Sequence, residues 1–549
     1  MRPRRPDVQE DPAIAAEVNA TRAGAAGRGA TPRAAAMLLG GAALAGASLL
    51  FLVQPMIARR ILPWFGGSAA VWTTAMVFFQ TALLVGYAYA HASVRSLALR
   101  RQVIVQAALL TGAVALAWTV GVVPTESWKP ATADLPTLRV LAILSASVGL
   151  PFVCLAATAP LVQAWFARCQ PGRSPYGLYA LSNFGSLAAL ASYPMIVERR
   201  LGVVDQGVAW STLFGAFAVL CVVSGVWAIR CAATADGDLL PAGTASGDNG
   251  PSPTPPDPRP LWLQRLFWVA LPACGTVLLL SISAHLSQDV APVPLLWVAP
   301  LATYLTTFII AFAGAAWRRR AVWVPAMIAT SLAVAWTWHT TLPIGYLTHV
   351  ALNLALLASA GMACHGELAA MQPPPARLTS YYLALAAGGA LGGVLSAVAA
   401  PLALGDNYEL HLSIAAAWIL VLAVMITDPH SRLYDGRNMP RLAAYLGLLL
   451  AMGVSMGVYV YHTRSEALVI DRNFYGTLKV REIDAAQPQL HHRMLVSGRV
   501  IHGAQFQSPS LRRIASQYYS PASGVGLILT SQAAAGPRRV GVEIGRAHV

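Results

Sequence analysis

The sequence predicts an all-α polytopic membrane bundle of about 13 transmembrane helices, arranged as six, a linker and seven. A truncated, β-rich start of an α/β domain follows the bundle. Charged residues make up 11% of the 549 residues, against about 25% in a soluble domain. Hydrophobic residues make up 56%, and the mean hydropathy is +0.56. Apolar stretches long enough to cross a bilayer recur along most of the chain. This composition excludes a cytosolic globular enzyme and a mostly disordered protein.

The order of the segments follows from where the apolar stretches begin and end. Residues 1–33 are rich in Ala, Arg and Gly without a period, which predicts a disordered basic cytoplasmic tail. The first membrane half is predicted at 34–229, a Pro- and Gly-rich linker at 230–265, and the second half with its extra helix at 266–461. The predicted spans are 34–56, 69–90, 102–122, 139–162, 176–197, 207–229, 266–284, 293–315, 321–338, 343–363, 378–403, 409–427 and 440–461.

Basic residues orient the chain. The net charge is +15, and the arginines lie mainly in short loops on one set of helix ends, which the positive-inside rule assigns to the cytoplasm. We therefore predict a multi-pass protein of the bacterial inner (plasma) membrane with a cytoplasmic N-terminus and the lipid bilayer as its main partner. The charge does not favour nucleic-acid binding. The six cysteines show no Cys-x-x-Cys spacing, so neither a metal site nor a disulfide framework is predicted.

The two halves look like weak copies of one unit. Tyr179 precedes Gly185-Ser186 in the first half, and Tyr382 precedes Gly388-Gly389 in the second. Internal duplication is common in transporters, whose sites lie where the halves meet. Shared membrane composition is the alternative explanation. The run from Gly388 to Gly393 contains two Gly-x-x-x-Gly spacings, which predict close packing of helix backbones.

Polar residues inside apolar spans are costly and therefore informative. The candidates for a polar site within the membrane are Gln54, Asn183, His285, Gln288, Asp289, His349, Asn353, His365 and Glu367. The functional interpretation is a polar path or pocket between the halves. The alternative is that these groups bond neighbouring helices or are hydrated at the membrane interface.

The segment 462–542 has a different pattern from the rest of the chain. Short alternating runs at 474–480 and 493–498 predict half-buried strands. The stretch 511–519 has helical spacing, and 538–542 has the pattern of the start of a buried strand.

Two sets of motifs carry a family resemblance. Asn473–Val480, Leu495–Gln505 and Tyr518–Pro521 resemble the entry to a spermidine synthase (polyamine aminopropyltransferase) domain. Among the membrane motifs, Phe51–Met56 and Cys364–Leu368 resemble bacterial fused MFS/spermidine synthase proteins.

The resemblance implies roles for two residues and a co-substrate. Gln505 and Tyr519 would line a polyamine cleft, and decarboxylated S-adenosylmethionine would be the co-substrate. Tyr519 departs from the family pattern, because His-Glu does not follow it. The resemblance implies no cofactor held by this chain itself.

The last seven residues, 543–549, read like a translated sequencing adapter, so we expect the natural sequence to differ after Val542. The resemblance then places the catalytic residues beyond that point. The predicted function is a membrane-embedded spermidine synthase-like protein whose catalytic core is missing from this chain. One alternative is a secondary transporter of a small solute, cationic solutes included. Another is a non-catalytic membrane scaffold.

Overall fold

A computed structural model describes residues 12–132, 134–170, 176–237, 259–288, 294–340, 342–373, 377–498 and 500–531. The first half holds six helices, α1 Pro12–Ile61, α2 Ala69–Ser96, α3 Leu99–Leu116, α4 Pro136–Cys169, α5 Tyr176–Ser192 and α6 Val203–Gly237. The second half holds seven, α7 Leu261–Ser287, α8 Pro294–Ala313, α9 Arg320–His339, α10 Tyr346–Ala370, α11 Leu378–Val394, α12 Glu409–Thr427 and α13 Met439–Ser465. Short π turns at Ala117–Gly121, Tyr193–Val197 and Leu395–Ala399 extend α3, α5 and α11.

All 13 predicted spans coincide with helices. Within the described residues, 12 of these helices are long and apolar enough to cross a membrane. The remaining helix, α5, has 17 residues before its π turn. A contact at one end of the bundle indicates that α5 also runs from one end of the bundle to the other. The Ser68 hydroxyl, which caps α2, donates to the Phe474 carbonyl just beyond α13 (2.8 Å). These two points share an end only if the number of crossings between them is even, which requires α5.

Two segment boundaries differ from the sequence prediction. The helix α1 begins at Pro12, so residues 12–33, predicted to be disordered, are helical. Alanine has the highest helix propensity and is frequent there. Residues 230–237 and 261–265 of the predicted linker belong to α6 and α7. The rest of that linker, at 238–258, lies outside the described residues.

The two halves share one internal packing scheme, which supports the duplication. The helix α5 packs on α1, and α11 packs on α7 in the same way. Glycine allows both contacts. A Cβ on Gly185 would lie 2.8 Å from the Leu44 carbonyl oxygen, and one on Gly388 would overlap the Val269 carbonyl.

The glycine-rich helix α11 also joins the halves, because its two glycine rows face different neighbours. Gly388 and Gly392 face α7. Gly389 and Gly393 face α2 of the first half, where a Cβ on Gly389 would lie 2.7 Å from Gln80 Oε1. Close backbone packing, predicted from the Gly-x-x-x-Gly spacings, is confirmed.

A small antiparallel sheet follows α13. Its strands are β1 Ala467–Asn473, β2 Gly476–Ile483, β3 His492–Ser497 and β4 Val500–Phe506, paired in that order. The predicted strands at 474–480 and 493–498 fall on β2 and β3. The helix α14, Gly524–Ser531, ends the described chain, so the strand predicted at 538–542 lies outside it.

The helical spacing at 511–519 was misleading. Only a 3-10 turn at Gln517–Tyr519 forms there. The Ser516 hydroxyl instead donates to the Ala504 carbonyl of β4 and accepts from the Ala504 N–H. Serine side chains that bond backbone groups in this way compete with helix formation.

Candidate functional site

A cavity of about 200 Å³ lies between the two halves of the bundle. Its wall comes from α1, α2, α4 and α5 of the first half and from α7, α8 and α11 of the second. An apolar cavity of about 150 Å³ holds a molecule the size of benzene. The space therefore suits one small molecule that touches both halves at once.

The cavity wall combines apolar rings with uncharged polar groups. Its amides and phenols come from both halves, and they are Gln54, Gln80, Gln163, Asn183, Tyr87, Tyr304 and Tyr382. Within the described part of the chain, the wall includes no Asp, Glu, Lys, Arg or His. The cavity can therefore hydrogen-bond a guest but offers it no ionic partner.

Gln54, a residue of this cavity wall, has a hydrogen-bond acceptor without a partner among the described residues. It lies on α1 and is 4% exposed. Its Nε2 donates to the Leu50 carbonyl (3.3 Å), while Oε1 has no hydrogen-bond partner among the described residues. A buried carbonyl oxygen without a partner costs about 1–3 kcal/mol, so a hydroxyl or amine donor from a guest would be stabilising there.

Two stacked, buried aromatic rings lie beyond one end of the cavity. Trp72 of α2 and Trp297 of α8 stack with centroids 5.0 Å apart and planes 8° apart. Each lies four residues, about one helical turn, before the first wall residue of its helix, Met76 and Leu301. Both helices begin at the end of the bundle that carries the sheet, which we call the sheet end. The opposite end, where α6 ends and α7 begins, is the linker end.

Of the nine predicted membrane residues, Gln54 and Asn183 lie on the cavity wall. His365 lies one layer behind it. The rings of Tyr304 and Phe308, which do line the cavity, contact the His365 ring edge-on at centroid distances of 4.8 and 4.9 Å. His365 is fully buried.

Hydrogen bonds indicate which ring nitrogen carries the proton in neutral His365. The Thr307 hydroxyl donates to the Tyr304 carbonyl (2.7 Å), so it must accept from Nδ1–H of His365 (3.1 Å). The lone pair is then on Nε2, which has no hydrogen-bond partner among the described residues. His365 therefore packs against Tyr304 and bonds Thr307 of α8, and it does not belong to the cavity wall.

A second polar group forms away from the cavity, near the sheet end. His285 of α7 and His349 of α10 approach with their Nε2 atoms 3.0 Å apart. Asn353, one turn after His349, donates to its carbonyl (2.9 Å). His285 and His349 therefore join α7 to α10, and Asn353 bonds the backbone of α10 itself. Gln288 caps the end of α7 with its backbone N–H, and Asp289 lies outside the described residues.

Glu367 belongs to an ionic cluster at the linker end. Arg320 donates through Nε and Nη2 to both Glu367 carboxylate oxygens (2.5 and 2.6 Å). Its Nη2 also lies 2.6 Å from Asp428 Oδ2. Burial alone would raise the pKa of the Asp428 carboxyl, but the His430 N–H and Arg320 outweigh it and hold that pKa below its usual range. The cluster ties α9, α10 and α12 together.

The sequence analysis missed most of the cavity wall. Gln80 is an amide inside a predicted apolar span, so the criterion that selected Gln54 would also have found it. Gln163 lies one residue after the predicted span 139–162, although it belongs to α4. The tyrosines Tyr87, Tyr304 and Tyr382 carried no such signal, because aromatic residues are ordinary in membrane helices. Only the fold shows that these five face one space.

The two residues assigned by resemblance to a polyamine cleft lie in the C-terminal segment. Gln505 is exposed on β4 and pairs in register with Arg493. Tyr519 is 52% exposed, and its ring packs on Tyr518. His502, which bonds Tyr518 (3.0 Å), lies at the irregularity in the pairing of β3 with β4. Their role in a cleft stays a prediction.

No protein-family model matches this sequence, and no curated protein matches it either. Among solved structures, the xylose transporter XylE from E. coli in an inward-open conformation is similar, with 12% identity and a TM-score of 0.45 over 74% of this chain and 99% of that chain. A D-xylose-proton symporter structure gives 12% identity and a TM-score of 0.45 over 73% of this chain and 98% of that one. At this sequence identity and this TM-score, we draw no conclusion about this chain from the similarity.

Proposed function

We propose that this chain is a membrane transporter that binds a small, uncharged polar solute in the cavity between its two halves. The observation that carries the proposal is that both halves contribute hydrogen-bonding amides and phenols to one cavity. A site shared by two halves changes its exposure when the halves move relative to each other. Apolar rings beside these polar groups suit a solute that has both a carbon skeleton and hydroxyl or amide groups.

The charge of the wall favours a neutral solute over a cationic one. A buried ion needs a partner of opposite charge, because its desolvation costs several kcal/mol. The wall provides no carboxylate within the described residues. A polyamine such as putrescine would therefore bind more weakly than a neutral polyol of similar size.

Binding of radiolabelled erythritol to the purified protein in detergent tests this proposal, with putrescine and succinate as charged comparisons. We expect saturable erythritol binding that Gln54→Leu weakens about three- to tenfold, the range for one lost hydrogen bond. Gln106→Leu is the matched control, since Gln106 is also buried in a membrane helix but lies off the cavity wall. Equal weakening by both variants, or preferred binding of putrescine, would contradict the proposal.

Aminopropyl transfer is the competing hypothesis and rests on the resemblance alone. Its prediction is that the protein forms methylthioadenosine and spermidine from decarboxylated S-adenosylmethionine and putrescine. Mass spectrometry measures both products directly. The scaffold alternative predicts neither these products nor solute binding.

A further inference from the structure

The hairpin formed by β1 and β2 is anchored to the second half by buried ion pairs. Lys479 Nζ of β2 lies 2.5 Å from Asp406 Oδ2, in the turn before α12. Arg472 of β1 pairs with Glu409 at the start of α12 and also donates to the Asp406 carbonyl (2.8 Å). The four charged side chains are 7–14% exposed. Separating such pairs leaves buried charges without partners, which is strongly unfavourable.

The tip of the same hairpin is anchored to the first half. Its turn residue Phe474 accepts a hydrogen bond at its carbonyl from the Ser68 hydroxyl (2.8 Å). The Phe474 ring contacts the ring of Phe65 edge-on, with centroids 6.4 Å apart. Ser68 and Phe65 form the connection between α1 and α2. One hairpin therefore contacts both halves of the bundle.

The hairpin lies at the sheet end of the cavity. Ser68 lies four residues before Trp72, whose stacking with Trp297 joins the halves at the sheet end. Opening the cavity at this end requires the two tryptophans to part. The halves cannot separate there while Phe474 stays on one half and Lys479 on the other.

We infer that the β1–β2 hairpin is a strap that holds the two halves together at the sheet end and so keeps the cavity closed to that side. The strap sets the side from which the cavity can be reached. A movement of the C-terminal sheet that lifts the hairpin tip would release it. The inference concerns how the proposed solute site is exposed, and it does not depend on which solute binds.

Thiol labelling in proteoliposomes tests the strap without any solute. The reporter is Ala159→Cys on the cavity wall, and the probe is a membrane-impermeant maleimide applied separately from each side. The six native cysteines are buried, and their background labelling is subtracted with protein that lacks the reporter. With the strap intact, we expect labelling from the linker end and almost none from the sheet end.

Two strap variants break different anchors. Lys479→Gln combined with Asp406→Asn removes a charge pair without leaving one charge alone. Phe474→Ala removes the ring contact with Phe65 at the tip, while it keeps the backbone hydrogen bond with Ser68 and every ion pair. Each is expected to raise labelling from the sheet end about tenfold, as expected for losing one strong buried interaction. Arg493→Gln is the matched control, because the ion pair that Arg493 forms among the described residues is with Glu482 of the same sheet (3.8 Å).

The readout separates a broken strap from a misfolded protein. Labelling from the linker end and a monodisperse gel-filtration profile report the fold of each variant. Sheet-end labelling that stays at the parent level in either folded variant would overturn the inference. Failed erythritol binding together with the expected labelling change would instead reject only the proposed function.

Discussion

At the scale of single residues, position relative to the cavity, not burial, distinguishes Gln54 from His365. Gln54 and His365 are both polar and buried in membrane helices. Gln54 keeps an acceptor on the cavity wall, whereas His365 is covered by the rings of Tyr304 and Phe308. The sequence selects both for the same reason, the cost of a polar group in hydrocarbon. It contains no signal that ranks one above the other.

The Asp428 carboxylate makes stability depend on pH. Its pKa is lower in the folded protein than its usual value, which is about 3.9 in an unfolded chain. Its stabilising effect is therefore complete above that value and is lost as the pH falls through the folded pKa. The thermal stability of the parent in detergent should exceed that of Asp428→Asn by a constant margin between about pH 5 and 7. Below about pH 4 the margin should shrink.

A margin that stays unchanged down to about pH 3 would contradict this role of Asp428. Asp435→Asn is a suitable control, because Asp435 lies in a 3-10 turn at the same end of the bundle, and the ion-pair partners of Arg320 among the described residues are Glu367 and Asp428. Its stability margin relative to the parent should not follow the pH dependence of Asp428→Asn.

At the scale of elements, the glycine rows of α11 set how closely three helices approach. A methyl group on Gly388 would overlap the backbone of α7, so Gly388→Ala must push the helices apart. Overpacking of this kind costs about 1–3 kcal/mol. We expect a clear loss of thermal stability for this variant, measured by unfolding in detergent.

Gly447→Ala provides the matched control on α13, where an added Cβ meets nothing within 4 Å. The same substitution there should be neutral or stabilising by up to about 1 kcal/mol, because alanine favours helix over glycine. Equal effects at the two positions would show that helix propensity, not close packing, governs α11.

The sequence was most informative about the secondary-structure elements. Apolar length alone located all 13 helices, since hydrocarbon requires each backbone to satisfy its own hydrogen bonds. The Gly-x-x-x-Gly spacing located the close contacts of α11. The stretch 511–519 was misread because Ser516 bonds the β4 backbone, and such a long-range contact leaves no trace in the local period.

At the scale of the whole molecule, the alternation of helices decides where the sheet lies. The contact between Ser68 and Phe474 requires an even number of crossings between α1 and the sheet. The beginning of α1 and the sheet therefore lie at opposite ends of the bundle. This placement brings the hairpin over the sheet end of the cavity, where it can influence both halves.

The candidate site was only partly predictable for the same reason. Internal duplication predicts a cavity between the two halves, and the sequence indicated both the duplication and a pocket of this kind. Which side chains face it depends on how α1, α2, α4, α8 and α11 rotate about their axes. That rotation is set by packing such as Gly185 on Leu44 and Gly389 on Gln80, which spacing along the chain does not show.

Uptake of radiolabelled erythritol into proteoliposomes containing the purified full chain tests the central claim most directly. The account predicts saturable, time-dependent uptake above that of protein-free liposomes, reduced in Gln54→Leu and retained in Gln106→Leu. Absence of uptake by correctly folded protein, together with release of methylthioadenosine from decarboxylated S-adenosylmethionine and putrescine in the same preparation, would contradict it.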